Sequence, residues 1–279
     1  MITAASANAA RISALYVYPV KSARGIALED AVLTAAGLAE DRRWMIVGAN
    51  GRCITQRELP RMALMVPSLS PAALQLQAPS MPDISIPLAQ QGERRPVTVW
   101  DHHCEALDEG ATVAQWLQRF LGHDCRLVRF DPVHRRLSTP EWTGGLAAHT
   151  QFADAFAVLA LSSASLDELN SRLTSPLPMN RFRPNIVLDG LEAFDEDRID
   201  ELSDGAIRLK LVKPCTRCKI TTTNQDTGCV EGDEPLRTLK SYRYDAALRG
   251  VCFGQNLIVV AGAGSSLRRG QTLQLHWKQ

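Results

Sequence analysis

The stretch Gly48-Ala49-Asn50-Gly51 lies between two short β-prone runs, Trp44-Met45-Ile46-Val47 and Arg52-Cys53-Ile54-Thr55. Asn-Gly readily takes the left-handed backbone that a tight hairpin needs, so the segment predicts two paired strands. Comparable runs occur at Ile12 to Val20, Leu74 to Leu76, Ile84 to Ile86, Val97 to Trp100 and Arg126 to Phe130. A half-chain interrupted this often cannot build long helices, and must bury its apolar surface by stacking or closing sheets. One segment breaks the pattern. Val113, Trp116, Leu117, Phe120 and Leu121 recur at helical spacing, with Asp108 and Glu109 before them and Gly122 after, which predicts one amphipathic helix with a glycine stop.

Residues 131–150 hold prolines, glycines and His134-Arg135-Arg136 without a period, and read as a long connection with a domain boundary near residue 130. Ser165-Leu166-Asp167-Glu168 reads as a capping box opening a helix that ends before Pro176. Strands are predicted at Asn185 to Leu188, Ile207 to Val212, Lys219 to Thr223, Leu257 to Val260 and Thr272 to His276. The fold class is therefore mainly β with flanking helices (α+β). It is organised as a disordered tail over residues 1–11, a β-rich unit over 12–130 and a second unit over 131–279.

A hydrophobic fraction of 45%, a charged fraction of 22% and a net charge of +1 describe an ordinary globular chain rather than a disordered or polyanion-binding one, so no nucleic-acid partner is expected. The opening residues lack a basic region followed by a strong apolar run, and no later stretch is long enough to span a bilayer; a cytoplasmic protein with no membrane partner is expected. Seven cysteines, an odd and scattered set, do not suggest a secreted disulfide framework.

Two of these cysteines stand apart, in Pro214-Cys215-Thr216-Arg217-Cys218-Lys219. A thiolate is the reactive and metal-binding form of cysteine, and Lys213, Arg217 and Lys219 put positive charge beside the pair. The alternation of Ile207, Leu209 and Leu211 with Arg208 and Lys210 predicts a half-exposed strand that delivers them. Spacing alone leaves open a structural zinc site completed by Cys229 and Cys252, a redox pair, and two packed thiols at a strand end.

The surrounding motifs narrow this choice. Cys215-Thr216-Arg217-Cys218, Thr221-Thr222, Asp226-Thr227-Gly228, Glu234-Pro235-Leu236, Leu239-Lys240-Ser241-Tyr242-Arg243 and Phe253-Gly254-Gln255 resemble, in order, the C-terminal signature of MOSC-domain molybdenum-cofactor proteins. The resemblance is to the mitochondrial amidoxime-reducing component and its bacterial relatives. Tyr18-Pro19-Val20-Lys21-Ser22, Gly25, Gly37-Leu38, Asp41-Arg42 and Thr55-Gln56-Arg57 are similar to the β-rich partner domain of that family. It implies an N-terminal MOSC-associated domain packed on a C-terminal MOSC β-barrel.

The resemblance further implies that Cys218 is the catalytic cysteine and the protein ligand to molybdenum, with Cys215 its neighbour. Lys21, Ser22, Arg42, Arg57, Ser163, Arg183 and Asn185 would bind the molybdenum cofactor (Mo-molybdopterin), whose phosphate calls for fixed cations and donors. Asp226 is read as turn chemistry with Thr227 and Gly228. The implied activity is reduction of small N-hydroxylated compounds, namely hydroxylamines, amidoximes and N-hydroxylated bases. No cysteine follows Cys252 to hold an iron–sulfur cluster, so a separate ferredoxin-, flavodoxin- or cytochrome-like donor is expected. The competing function is a carrier that delivers molybdenum cofactor or sulfur without turnover. Asn224-Gln225 departs from the Asp-Pro usual in the mitochondrial proteins, which bears on substrate preference.

Overall fold

The structure, a computed structural model, describes residues 8–89 and 92–279. The alternating segment becomes the strand Ile207–Thr216, with Ile207, Leu209 and Leu211 buried, while Arg208 and Lys210 pair with Glu201 and Asp200 on the neighbouring strand. Around it seven strands close into a barrel, in the order 158–162, 186–189, 9–17, 272–277, 199–204, 207–216, 250–261 and back to 158–162. A ring with an odd number of strands cannot alternate direction throughout, and the parallel pair is 158–162 with 186–189. Parallel neighbours need a crossover, which the helix Ser163–Ser171 supplies. Ile12, Leu15, Ile186, Leu188, Leu202, Leu209, Leu257 and Leu273 form one buried cluster from these strands.

The other half is a four-stranded antiparallel sheet, in the order Trp44–Gly48, Cys125–Phe130, His102–Asp108, Arg94–Val99, with a smaller sheet of Val66–Leu69, Ala73–Gln77 and Ile84–Pro87. The predicted helix spans Ala111–Leu121 and ends on Gly122 at φ 65°, whose N–H bonds to Gln118 O. Its buried face, Val113, Trp116, Leu117 and Phe120, packs in one cluster with Trp44, Ile46, Met62, Leu74 and Ile86. Burying one such aromatic or aliphatic side chain is worth about 1.5–3 kcal/mol, so this cluster holds the two sheets and the helix together.

Several sequence expectations are corrected. Residues 1–7 of the expected tail lie outside the described residues, but Ala9–Arg11 are strand, paired with Gln274, Leu273 and Thr272, because Ala10 and Ile12 extend the buried alternation. The strand Ala9–Val17 thus belongs to a barrel otherwise built from residues 158–277. The helix cap is Ser162, not Ser165: its hydroxyl accepts the Ser165 N–H at 3.0 Å and donates to the buried Glu196 carboxylate at 2.9 Å. Glu168 pairs instead with Arg172. Lys219–Thr222 is a 3-10 turn rather than a strand. Thr221 and Thr222 hydroxyls donate back to Cys218 O and Lys219 O at 3.0 and 2.8 Å, and these local bonds override β propensity.

The second arm of the Asn50-Gly51 hairpin is reduced to bridges, since Cys53 N–H and Gly51 O are shared with Thr98 on the 94–99 strand. The strands His102–Asp108 and Ile199–Asp204 were not anticipated. The first buries Cys104, Ala106 and Asp108 on its inner face, a weak apolar signal among charged residues. Among the described residues, no helix is long and apolar enough to cross a membrane.

Candidate functional site

The strand Ile207–Thr216 is irregular at its end, with register shifts against the 250–261 strand at Leu211/Lys213 and Pro214/Thr216. These breaks free Cys215 from regular pairing. Cys218 follows in extended conformation and opens the 3-10 turn, while Arg217 N–H bonds to Val251 O at 2.7 Å. Both cysteines line an open cleft of about 820 Å³ of atom-free space, counted with its mouth. Lys21, Arg42, Arg57, Arg183 and Arg217 line it, with Asp154 as the one carboxylate among the described lining residues.

The deeper part is a desolvated network. The Tyr18 ring lies between the Arg42 and Arg183 guanidinium groups at 4.4 and 4.2 Å. A β-carbon on Gly25 would come within 2.5 Å of that ring, which explains the glycine. Arg42 pairs with buried Asp41 and donates to Asn185 Oδ1 at 2.9 Å; Arg183 donates to Ala23 O at 2.6 Å. Burial pushes Arg183 down to about 10 and raises Asp41 above its ordinary value despite the Arg42 charge. Lys21 donates to Phe152 O at 2.8 Å and pairs with Asp154; burial lowers its pKa, with Asp154 opposing.

Nearer the mouth, Arg57 Nε donates to Cys218 Sγ at 3.3 Å, and its guanidinium lies 4.2 Å over Trp100. Trp100 Nε1 donates to Asp154 Oδ1 at 3.1 Å. Arg217 donates to Cys215 Sγ at 2.9 Å and to Phe182 O at 2.6 Å, and its Nε is buried without a hydrogen-bond partner. Burial raises the Asp154 carboxyl, but Lys21 and Arg57 outweigh it and hold the group below the usual carboxylate range.

Backbone strain gathers here. Eight described non-glycine residues have φ in the left-handed region, and four of them line this cleft and its mouth: Ser22, Arg42, Trp100 and Arg183. Such conformations cost about 1–3 kcal/mol each, and they persist only where surrounding contacts impose them.

The structure therefore brings together Lys21, Ser22, Arg42, Arg57, Arg183, Asn185 and Cys218. Ser163 is elsewhere: it is the first helical residue, and its hydroxyl bonds to Asp189 outside the cleft. Asn185 lines the cleft but is held at both ends of its amide, accepting from Arg42 and from Leu159 N–H and donating to Tyr16 O. Lys213 lies over Trp142, so among its sequence neighbours only Arg217 reaches a thiol, that of Cys215.

Tyr18 and Asp41 stand within the matched motifs Tyr18–Ser22 and Asp41–Arg42, which give them no role, and Trp100 and Asp154 carry no sequence signal. Asp226-Thr227-Gly228 is a turn, with Asn224 Oδ1 accepting the Asp226 and Thr227 N–H groups. Gln225 is buried and exchanges amide hydrogen bonds with Gln56 at 3.2 and 3.0 Å, joining the cysteine-bearing segment to the residue before Arg57. Among the described residues no three His, Cys, Asp or Glu side chains form a metal-holding group, which leaves the zinc reading without its further ligands.

Comparison with known proteins agrees with this geometry. Residues 9–124 match the MOSC N-terminal beta barrel domain and residues 147–274 the MOSC domain. Mitochondrial amidoxime reducing component 2 of Bos taurus is 36% identical over 241 residues, covering 83% of this chain and 72% of the relative. Mitochondrial amidoxime-reducing component 1 of Homo sapiens is 37% identical over 247 residues, with the same shares, and that of Mus musculus is 36% identical over 241 residues, covering 83% and 71%. With both domain models matched in order over a closed barrel, and with more than a third of residues identical across most of either chain, this chain belongs to the MOSC-domain family.

Proposed function

We propose that the protein is a molybdenum-cofactor-dependent reductase of N-hydroxylated compounds, supplied with electrons by a separate redox protein. The observation that carries this reading is the cleft itself. Two thiols, Cys215 and Cys218, line it together with five cations drawn from both halves of a chain similar to amidoxime-reducing components, and Arg57 donates to Cys218. A soft thiolate suits a redox metal, and an anionic phosphate group suits buried guanidinium and ammonium donors. The unpartnered Arg217 Nε is a donor in the same wall. On this reading Cys218 would ligate molybdenum, and Lys21, Ser22, Arg42 and Arg183 would hold the pterin phosphate.

When bound, the cofactor supplies the two-electron redox centre at which an N–O bond is cleaved. The balance is R–NHOH plus two electrons and two protons giving R–NH2 and water. The chain's own part is positioning. Arg57 fixes the Cys218 sulfur with an N–H, the Arg217 donor to Cys215 keeps the neighbouring thiol apart from it, and Phe156, Leu159 and Phe182 present apolar wall that limits water.

Expression in a host able to make the cofactor tests this directly. Wild type should carry one molybdenum per chain, and reduced protein should convert an amidoxime or hydroxylamine. Cys218→Ala should lose metal and turnover by at least about 100-fold, while Cys215→Ala keeps the metal. Full molybdenum in Cys218→Ala removes the ligand assignment. Stoichiometric handover of cofactor or sulfur to an acceptor, with no reduction of any N-hydroxylated compound, would establish a carrier instead.

A further inference from the structure

Trp100, at the mouth of the cleft, touches both the Arg57–Cys218 pair and the Lys21–Asp154 pair. It sits at the tight turn between the strands Arg94–Val99 and His102–Asp108, at φ 54°. Its ring face carries Arg57 at 4.2 Å, and Arg57 in turn donates to Cys218 Sγ at 3.3 Å. Its indole N–H donates to Asp154 Oδ1 at 3.1 Å, and the same oxygen is held by Lys21, whose Nζ lies 5.7 Å from the Trp100 ring centroid. A two-residue hairpin loop commonly takes left-handed backbone at its first position, and at Trp100 that position carries an indole whose face and N–H meet different partners.

Arg57 needs such a support. Nothing but Cys218 receives a hydrogen bond from its side chain among the described residues, and a long guanidinium side chain carries about 2 kcal/mol of rotamer entropy. Stacking on an aromatic face restricts the guanidinium plane and aims one edge. We propose that Trp100 is a positioning residue: its ring face fixes Arg57 against Cys218, and its indole N–H fixes Asp154 against Lys21. The proposal deepens the reading of Cys218 as the functional thiol and rests on it for its meaning, but its test needs neither cofactor nor turnover.

The test is site-resolved alkylation of Cys218 in the full chain made without cofactor, comparing iodoacetate with iodoacetamide. The ratio of the two rates cancels the reactivity of the thiol and reports positive charge held beside it. Arg57→Ala should lower the ratio about three- to fivefold, the effect of removing one nearby cation in a solvated cleft. Trp100→Ala should lower it equally, and the double variant should fall no further. Trp100→Phe, which keeps a π face and loses the N–H, should stay within about twofold of wild type.

Trp100→Leu, which keeps apolar bulk without the π face, is read in the same way as Trp100→Ala and serves if that variant does not fold. A wild-type ratio in Trp100→Leu or in Arg57→Ala overturns the proposal, as does a Trp100→Phe ratio as low as that of Trp100→Leu. Loss or retention of molybdenum in Cys218→Ala has no bearing on these ratios, so the two readings fail separately.

Discussion

The floor of the cleft and its mouth carry charges of the same kind under opposite physical conditions. Around Tyr18, the guanidinium groups of Arg42 and Arg183 and the carboxylate of Asp41 are desolvated and answered by fixed partners. At the mouth, Arg57 and Trp100 are half-buried, and Asp154 has a side chain 57% exposed. Burial governs Asp41, raising its pKa, whereas neighbouring cations govern Asp154, lowering it. The floor cations are therefore held in place by the fold itself, and the mouth is aimed by contacts between its own side chains.

The largest effect that would break this contrast is on the floor. Asp41→Ala leaves the Arg42 side chain, 14% exposed, without its counter-charge and Tyr18 N–H without its 2.8 Å acceptor. Stability should fall by about 3–5 kcal/mol, read from urea unfolding; a loss under about 1 kcal/mol would erase the distinction between floor and mouth.

An intermediate effect is expected where the two halves are joined by neutral groups. Gln225→Ala leaves the buried Gln56 Oε1 without its donor, while Gln56 Nε2 keeps Ser22 O, and should cost about 1–3 kcal/mol by the same measurement. Neutral behaviour there would show that the amide pair is incidental to how Arg57 is placed.

The smallest effect is a pH dependence at the mouth. A carboxyl with a depressed folded pKa, as for Asp154, contributes stability that is present above its unfolded value near 3.8 and lost as pH falls through the folded value. Asp41, with a raised value, has the reverse sign: its contribution is present below the unfolded value and lost as pH rises through the folded one. Asp154→Asn should therefore flatten the decline in stability between about pH 4 and pH 2, by under about 1 kcal/mol because the group is exposed. An unchanged slope would mean that solvent screens the Lys21 pair completely.

Much of the fold was legible because it is local. The alternation at Ile207–Leu211, the helical spacing from Val113 to Leu121 and the Gly122 stop each became the expected element. The misread elements share one cause, competition from contacts outside the window: Thr221 and Thr222 hydroxyls turned a β-branched run into a 3-10 turn, and Glu196 made Ser162 the cap. At the site, the ordered motifs brought Lys21, Ser22, Arg42, Arg183 and Cys218 to one cleft. They did not separate Ser163, which caps no cleft, from Arg57, which meets the thiol.

By itself, then, the sequence determined a β-rich chain, the strand that presents Cys215 and Cys218, and the order of motifs that carries family membership. Only the tertiary structure decided which cations face which sulfur. The cations adjacent in sequence to Cys218 do not donate to it, while Arg57, 161 positions away, does. It also decided that Ser22, Arg42, Trp100 and Arg183 take left-handed backbone, which these residue types do not announce. The reason is the same in both cases. Local propensities act over a few residues, whereas desolvation, stacking and strain are set by whatever the closed barrel and the neighbouring sheet bring within a few ångströms.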